Sequence, residues 1–420
     1  MEQQSYGAFS ADLHQRQAGE RVPLQVSIEV TRRCPLECLH CYNNLPMGDM
    51  EAKQRELTKE EHFKMLDELV EMGCFWILYT GGEIFARKDF LEIYTYAKKK
   101  GFLITLFTNG NIITEQIADY LVEWPPFAIE ITLYGRTRET YEALTAIPGS
   151  YDRCLRGIQL LKERGLPLKL KTVATSINKH EVLEMRSFAE ELGVEFKIDG
   201  QINPRIDCSQ SPLAVRLTPE EVVALDMSTP KGVSAYRKLA KRDQENPATL
   251  SQVDTMYFCG GGMNSFAINA YGEVGICVIS QQETFDIRGP GVKAVWEESL
   301  LQLRNRKRTR ITKCVECRIQ SLCGMCPANG ELENGDRESP VAFLCNVAHL
   351  RAAVIGVEIP VHGNCEFCAG GSEHEALMES ARRIANREVD VESWVGPQNI
   401  LPVLNNTSVI AAGCGSCGSH

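Results

Sequence analysis

The sequence predicts an α/β fold built around a buried parallel sheet. Between residues 22 and 202, β-rich runs alternate six times with amphipathic helical stretches, and such repeats place parallel strands side by side beneath helices. Helix boundaries are marked too, because Thr58 and Glu61 can form a capping box and Gly73 ends the same stretch. The six units fall short of the eight that close a barrel.

The individual elements are predicted from apolar runs and from the turn residues that bound them. The predicted strands are Leu24–Val30, Phe75–Thr80, Phe102–Thr108, Phe127–Leu133, Leu168–Ala174 and Val194–Ile198. The predicted helices are Lys59–Met72, Arg87–Lys100, Thr114–Glu123, Tyr151–Arg164 and Lys179–Leu192. We expect functional residues at the carboxyl ends of the strands, as in barrels built from such units.

Length and composition narrow the class of protein. The chain has 420 residues, enough for two or more domains of about 100–200 residues each. We expect it to be cytoplasmic without a membrane partner, because we find neither a signal-peptide pattern nor ~18 consecutive apolar residues. The net charge of −10 argues against a nucleic-acid partner. The 17 cysteines indicate metal or redox chemistry, because disulfides do not persist in a reducing compartment.

Three of these cysteines, Cys34, Cys38 and Cys41, lie within eight residues just after the first predicted strand. Cysteine thiolates are the ligands of iron–sulfur clusters, so this loop can hold three irons of a four-iron cluster. The fourth iron would then be open for chemistry. A structural zinc site fits less well, because such sites use four ligands in paired sets. We therefore interpret the loop as a catalytic iron–sulfur site.

The C-x3-C-x2-C spacing resembles the signature of the radical S-adenosylmethionine (SAM) superfamily. The resemblance implies a partial (β/α)6 TIM-like barrel, in agreement with the six predicted units. It also implies that SAM binds the open iron and is cleaved by one electron to a 5′-deoxyadenosyl radical, which removes a hydrogen atom from the substrate. A donor such as flavodoxin or ferredoxin would supply the electron. Exposed clusters are sensitive to oxygen, so an anaerobic host is expected.

The same resemblance assigns SAM contacts to residues at the strand ends. The sequence Gly81-Gly82-Glu83 resembles the family's G-G-E motif, in which the glycines allow close backbone approach and the carboxylate can accept hydrogen bonds from the SAM ammonium. The family more often has proline where Ile84 stands. The other expected contacts are His40 and Tyr42 near the adenine, Asn109, Thr132 or Tyr134, and Lys171 or Thr172.

A second group of cysteines resembles the seven-cysteine SPASM domain, which carries two auxiliary four-iron clusters. The resemblance implies that Cys259, Cys277 and Cys326 hold auxiliary cluster I, and that Cys314, Cys317, Cys323 and Cys345 hold auxiliary cluster II. This would give three 4Fe–4S clusters in all. The last pair of the quartet is spaced by two residues here, whereas three is more usual in the family. A pair of zinc knuckles is the alternative.

Cluster I then has three ligands, so either its fourth iron binds a substrate thiolate or another residue completes it. Cys365 and Cys368 are the candidates for that extra ligand. A helix is predicted over Glu373–Asn386. The chain ends in a Gly/Ser-rich stretch with Cys414 and Cys417, which is interpreted as a tail without a role, as a source of cluster ligands, or as a fused peptide substrate.

These patterns predict five regions along the chain. They are an N-terminal extension (1–21), the partial barrel (22–202), a connector (203–255), the SPASM domain (256–350) and a C-terminal extension with two C-x2-C pairs (351–420). The resemblance covers the second to fourth of them.

The function implied by the resemblance is oxidative modification of a ribosomal peptide or protein, such as thioether or carbon–carbon cross-linking. A separate leader-peptide recognition protein could then be a partner. The alternatives are tetrapyrrole side-chain modification in the heme pathway and a sulfatase-type formylglycine maturase, which Val278 after Cys277 disfavours. An iron–sulfur electron-transfer protein without SAM chemistry is the alternative from another class. No catalytic acid or base can be chosen from the sequence.

Overall fold

The computed structural model describes residues 5–17, 19–245 and 254–394. The strands are β1 (Gln25–Glu29), β2 (Arg33–Cys34), β3 (Leu45–Pro46), β4 (Trp76–Thr80), β5 (Leu103–Thr108), β6 (Ala128–Thr132), β7 (Leu168–Val173), β8 (Glu195–Asp199), β9 (Ser265–Ile268), β10 (Glu273–Gly275) and β11 (Phe285–Asp286). None of the described helices is long and apolar enough to span a membrane.

The helices lie mainly between these strands and in the last third of the described chain. They are α1 (Tyr6–Arg16), α2 (Met50–Arg55), α3 (Lys59–Glu71), α4 (Phe90–Lys99), α5 (Glu115–Glu123), α6 (Arg138–Thr145), α7 (Ser150–Glu163), α8 (Val182–Glu191), α9 (Pro219–Met227), α10 (Pro230–Glu245), α11 (Val292–Val295), α12 (Leu301–Arg304), α13 (Pro327–Asn334), α14 (Ala342–Val354) and α15 (His374–Ala385). A π-helical turn, Trp296–Leu300, joins α11 to α12.

The main sheet confirms the predicted α/β class. Its described strands follow the order β11-β10-β9-β1-β4-β5-β6-β7-β8. Every pair from β9 to β8 is parallel, and β10 pairs antiparallel with both of its neighbours, β9 and β11. The six predicted strands correspond to β1 and β4–β8, with ends that differ by at most one residue. A parallel run with one helix or more per crossover is the architecture of a TIM-like barrel that does not close.

The cysteine-rich region is joined to this sheet. Strand β9 pairs in parallel with the outer edge of β1, in a register that runs from Gln25 opposite Ser265 to Ile28 opposite Ile268. Strand β1 is therefore covered on both edges, by β4 and by β9. The strand that leads into the first cysteine loop is thus the strand to which the second cysteine region is attached.

The predicted helices are present, and the Thr58–Glu61 capping box is formed at the start of α3. Helices α1, α2 and α6, and α11–α14 in the second cysteine region, were not predicted. The predicted helix over Lys179–Leu192 begins with a 3-10 turn before α8. Helices α9 and α10 occupy the predicted connector, and α14 runs across the predicted boundary at residue 350.

The strands alternate between two environments. One face is apolar and packs beneath the helices, with fully buried residues such as Ile28, Tyr79 and Leu106. The opposite face carries polar residues, among them Glu130 and Lys171. Because side chains alternate along a strand, Phe107, the register partner of Glu130, lies on this same face. This face leads to the carboxyl ends where the first cysteine loop begins.

The contact between α7 and the end of β5 depends on a glycine. Gly157 lies inside α7, where a Cβ atom would stand 2.3 Å from the Gly110 carbonyl oxygen. Alanine normally favours a helix interior over glycine by about 1 kcal/mol. Here we expect Gly157→Ala to lower the free energy of unfolding by about 1–3 kcal/mol, because the helix must move away from the strand end. Urea denaturation of the two proteins measures this.

The matched control is Gly7→Ala in α1, where nothing lies within 4 Å of the added Cβ. That change should leave the free energy of unfolding unchanged or raise it slightly. Equal effects of the two substitutions would contradict the close contact at Gly157.

Candidate functional site

The first cysteine loop leaves β1 and is held across the carboxyl ends of the neighbouring strands. The Gly82 amide donates to the Thr31 carbonyl oxygen at 2.7 Å, and the Glu83 amide donates to the Arg33 carbonyl oxygen at 3.1 Å. A short parallel ladder then joins β2 to β3 at the far end of the loop. Cys34 is therefore placed directly beside the end of β4.

The two glycines at the end of β4 are required by this packing. A Cβ on Gly81 would lie 2.1 Å from the Thr31 carbonyl oxygen, and one on Gly82 would lie 2.4 Å from that of Arg32. Gly81 also has φ of +134°, which side-chain-bearing residues rarely adopt. The close approach that the sequence predicted at this pair is thus made, in this structure, by the protein's own cysteine loop.

The three thiols of the loop lie together, with Cys34 buried and Cys38 and Cys41 partly buried. Burial raises the pKa of Cys34 to about 12 and also raises those of Cys38 and Cys41. Charge on Cys34 and on Cys41 raises the pKa of Cys38 further, so the three sulfur atoms are close in space. Three buried thiols are not stable as thiolates without a compensating cation. This donor set fits an iron–sulfur cluster, whose irons supply that charge.

Hydrogen bonds to sulfur support the same interpretation. The Asn109 amide Nδ2 lies 3.4 Å from Cys34 Sγ and donates to it. The backbone N–H of Leu36 stabilises the Cys34 thiolate, and that of Asn43 does the same for Cys41. Such donors tune clusters by compensating the charge on their sulfur ligands. Asn109, which was predicted as a SAM contact, thus contacts a cluster cysteine directly.

The Glu83 carboxylate is held by donors of the protein itself. It was expected to accept hydrogen bonds from the SAM ammonium, but it is 1% exposed and faces into the protein. It accepts the Thr108 hydroxyl at 2.7 and 2.9 Å, the Asn109 amide at 2.8 Å and the Phe85 amide at 3.2 Å. In this structure Glu83 fixes the ends of β4 and β5 relative to each other, and burial raises its pKa.

His40 and Tyr134 form an aromatic pair beside the thiols. The His40 ring lies 5.0 Å from the Tyr134 ring, and burial lowers the pKa of His40 to about 4, so the imidazole is neutral. Its Nδ1 atom is buried without a hydrogen-bond partner. Buried polar atoms are nearly always paired, so this nitrogen is free to meet a polar group of a bound molecule. That observation fits a SAM site next to the cluster.

Tyr42 connects the first cysteine site with the second. Burial raises its pKa well above the usual value, and charge on Glu29, Cys41 and Cys277 raises it further. A thiol of each site thus contributes to the charge environment of Tyr42. The sequence had suggested only a contact with the adenine.

Lys171 lies on the polar face of the sheet, where its side chain contacts other residues of the sheet. Its Nζ atom is 3.5 Å from Glu130 Oε2 and lies over the Phe107 ring. Thr132 is its register neighbour on β6, and the adjacent Thr172 is buried on the apolar face. Burial lowers the pKa of Lys171 to about 8. A cation that titrates near neutrality therefore faces the space below the strand ends.

The second cysteine region contains two separate groups of thiols. In the first, charge on Cys259 and Cys326 raises the pKa of Cys277 beyond the effect of burial, which places the three together. Cys259 is exposed, so this group opens to solvent. Burial raises the pKa of Cys277 to about 11. These are the three residues that the resemblance assigned to auxiliary cluster I.

The second group surrounds a pocket. Its cysteines interact through their charges, and each is partly buried. They are Cys314, Cys317, Cys323 and Cys345 (the Cys314 group). All four line one cavity, together with Cys326, His349 and His362. The Met325 backbone N–H donates to Cys323 Sγ at 3.4 Å. Four thiols around a cavity provide the donor set that a four-iron cluster needs.

Cys365 and Cys368 are placed differently from the sequence-based expectation. They were candidates for the fourth ligand of the group formed by Cys259, Cys277 and Cys326 (the Cys259 group). Instead, both lie against His349. They are therefore neighbours of the Cys314 group, and charge on Cys365 raises the pKa values of Cys314, Cys317 and Cys345. Cys414 and Cys417 lie outside the described residues.

Two further interactions that position the cysteine loop were missed from the sequence. Glu29 is buried at the end of β1 and accepts Arg32 Nε at 3.0 Å and Asn43 Nδ2 at 2.6 Å. From the other side, Arg205 donates to the Cys41 carbonyl oxygen at 3.2 Å and to the Asn44 side chain at 2.9 Å. Asn43 follows Cys41 by two residues, but Arg205 is distant in sequence and gave no signal.

Comparison with known proteins places these features in context. Residues 28–189 match the family model described as the Radical SAM superfamily. The AdoMet-dependent heme synthase of Methanosarcina barkeri (strain Fusaro / DSM 804) is 25% identical over 335 residues, 75% of this chain and 94% of that protein. The mycofactocin maturase MftC of Mycobacterium tuberculosis (strain ATCC 25618 / H37Rv) is 27% identical over 326 residues, 75% of this chain and 81% of that protein.

Among solved structures, SuiB of Streptococcus suis bound to precursor peptide SuiA has a similar fold. The TM-score is 0.59 at 14% identity, over 80% of this chain and 80% of SuiB. At this level of identity the likeness concerns the fold. It supports the arrangement of an incomplete barrel followed by a cysteine-rich region.

Glu83→Ala tests the role of the buried carboxylate. It leaves the Thr108 hydroxyl and the Asn109 amide without their acceptor, at a cost of about 1–3 kcal/mol. Because Asn109 contacts Cys34, we expect roughly ten- to hundredfold slower release of 5′-deoxyadenosine from SAM. Chromatography of anaerobic reactions measures this. Glu92→Ala, at a glutamate on the surface of α4, should leave the rate unchanged. Equal rates for both variants would contradict the role given to Glu83.

Lys171→Met tests the charge on the polar face. The pKa of Lys171 is lowered to about 8 from 10.5, so between these values the unfolded chain holds a proton that the folded chain does not. The free energy of unfolding contributed by Lys171 therefore rises with pH across this window. We expect Lys171→Met to stabilise the protein at pH 7 and to lose this advantage towards pH 10. A constant difference between the two proteins from pH 7 to 10 would show that Lys171 is not desolvated.

Proposed function

We propose that this chain, an enzyme with a radical SAM domain at residues 28–189, oxidatively modifies a peptide or protein substrate, for example by thioether or carbon–carbon cross-linking. The observation that carries the proposal is the open group of three thiols at Cys259, Cys277 and Cys326, near Tyr42 and thus near the first site. Because the chain is an enzyme, the electron-carrier alternative from the sequence is wrong.

In this proposal Cys34, Cys38 and Cys41 hold the cluster that binds SAM. When bound, cluster and SAM together supply a 5′-deoxyadenosyl radical that removes a hydrogen atom from the substrate. Asn109 compensates charge on Cys34 through its bond to Sγ. Gly81, Gly82 and Glu83 hold the loop at the strand ends, and His40, Tyr42, Thr132 and Tyr134 form the walls against which SAM would lie.

The Cys259 group would act on the substrate. It has three thiols and an exposed side, and Cys365 and Cys368 are engaged elsewhere. A position left without a protein ligand can be taken by a donor group of the substrate, such as a cysteine thiolate of a peptide. Phe258 next to Cys259 is 48% exposed and offers an apolar surface at the same opening. The Cys314 group lies deeper and would hold the second auxiliary cluster.

The relatives support a peptide substrate. MftC is named a mycofactocin maturase, and SuiB was solved with its precursor peptide. The similarity of this chain to both proteins favours a ribosomal peptide as its substrate. A flavodoxin or ferredoxin would supply electrons, and a separate protein could present the leader peptide.

Tetrapyrrole side-chain modification is the second candidate. The heme synthase relative matches over 94% of its own length, so the likeness is not limited to the barrel. Lys171 and Lys197 both contact Glu130 on the polar face and could pair with carboxylates of a porphyrin. The two candidates differ in what they need at the Cys259 group, because only a peptide brings a thiolate.

The first experiment is anaerobic turnover with SAM and dithionite, followed by measurement of 5′-deoxyadenosine and of the mass of the C-terminal fragment. We expect deoxyadenosine from the wild type and none from Cys38→Ser. A fragment lighter by about 2 Da per cross-link would identify the tail as substrate. An unchanged tail would direct the search to peptides in trans, tested beside an iron porphyrin. Modification of the porphyrin alone, without any peptide product, would overturn the peptide proposal.

A further inference from the structure

A buried group of four side chains adjoins the cavity of the Cys314 group but includes none of its four thiols. His349 on α14 meets His362, Cys365 and Cys368, which precede α15, and the four potential ligand atoms lie within 4.8 Å of one another. All four residues are buried, with His349 only 1% exposed and Cys368 only 2% exposed. Two imidazoles and two thiols enclosed together form a set that metals bind.

The distances match the edges of a tetrahedron. His349 Nε2 lies 3.4 Å from Cys365 Sγ and 3.7 Å from Cys368 Sγ, and His362 Nδ1 lies 3.4 Å from Cys368 Sγ. With Zn–N bonds of about 2.05 Å and Zn–S bonds of about 2.3 Å, tetrahedral coordination separates nitrogen and sulfur ligands by about 3.6 Å. A zinc ion at the centre therefore requires little movement of these atoms.

His349 is already oriented as a ligand. Its Nδ1 donates to the Cys345 carbonyl oxygen at 2.7 Å, one helical turn earlier on α14. This bond fixes the tautomer and leaves the lone pair of Nε2 directed at the two thiols. Metal-bound histidines characteristically donate their second nitrogen to a carbonyl in this way. His362 Nδ1 lies 2.9 Å from the Pro360 carbonyl oxygen and would exchange that contact for the metal.

The chain from His362 onwards is folded as a compact ligand loop. Three successive turns are closed by amides three residues apart, from Cys365 to His362, from Cys368 to Cys365 and from Gly371 to Cys368. A Cβ on Gly371 would lie 2.3 Å from the Glu366 carbonyl oxygen, so only glycine fits there. The loop thus holds both thiols towards one point beneath α14.

We infer that His349, His362, Cys365 and Cys368 bind a structural zinc ion that fastens the segment before α15 onto α14. Zinc suits this set because it prefers four tetrahedral nitrogen and sulfur ligands and is not redox-active. The zinc site shares no ligand with the Cys314 group. Cys345 Sγ faces Nδ1 of His349, whereas the zinc ion would bind Nε2. It also stands independently of the reaction proposed above.

The site has a definite structural task. Helix α15 packs on α14 and α9, and His349 and His362 also line the cavity of the Cys314 group. A closed zinc site between α14 and the following loop would keep that wall in place. Removing the metal would leave four buried polar groups to be satisfied by one another.

The test measures metal content in the full chain, purified anaerobically and supplied with iron, sulfide and zinc. We expect one equivalent of zinc per chain in the wild type, in addition to iron. The double variant Cys365→Ser with Cys368→Ser should lose the zinc and keep the iron. The matched control, Cys317→Ser, should lose iron and keep the zinc. Zinc content near zero in the wild type would overturn the inference, as would loss of iron with the double variant.

A second measurement covers the case in which the double variant does not fold. Cobalt(II) added to wild-type protein freed of zinc should give the visible absorption bands of a tetrahedral site with thiolate ligands. His362→Cys keeps four ligands and should bind cobalt with stronger thiolate bands, whereas His362→Ala should bind at least tenfold more weakly. Octahedral spectra, or equal cobalt affinity of His362→Ala and the wild type, would show that these residues do not form the site.

Discussion

The close packing of the first cysteine loop on the glycines that end β4 is the constraint on which the site depends. No side chain fits at Gly81 or Gly82, so the loop backbone and the strand end are in direct contact. That contact places Cys34 within reach of Asn109, and Glu83 then ties Asn109 and Thr108 to the same strand end. Three strands and the loop are thereby fixed as one unit, as a preorganised site requires.

The three sites of the proposed chemistry are joined through shared elements of the described chain. Strand β1 leads into the first cysteine loop and pairs with β9 of the second cysteine region. Tyr42 lies near thiols of both regions. Helix α14 carries Cys345 of the Cys314 group and, one turn later, His349 of the proposed zinc site. Distances between the sites are therefore set by secondary structure, the most rigid part of the molecule.

Local patterns allowed much of this to be predicted from the sequence. The strands β1 and β4–β8 and the main helices followed from apolar periodicity. The burial of the Glu83 carboxylate could not be predicted, because it depends on donors that β5 brings from 25 residues away. The pairing of β9 with β1 is likewise non-local. His362 precedes Cys365 by only three residues, so this grouping is local in sequence. His349 becomes a partner of these residues only through the fold.

The pairing of β1 with β9 also affects how the chain is made. Residues 25 and 265 are register partners, so the outer edge of β1 stays uncovered until most of the protein has left the ribosome. An uncovered parallel strand is a template for pairing with other chains, and non-local strands of this kind form slowly. Synthesis from the amino terminus thus exposes the most aggregation-prone edge first and protects it late. Chaperones that hold the nascent barrel should therefore raise this protein's yield.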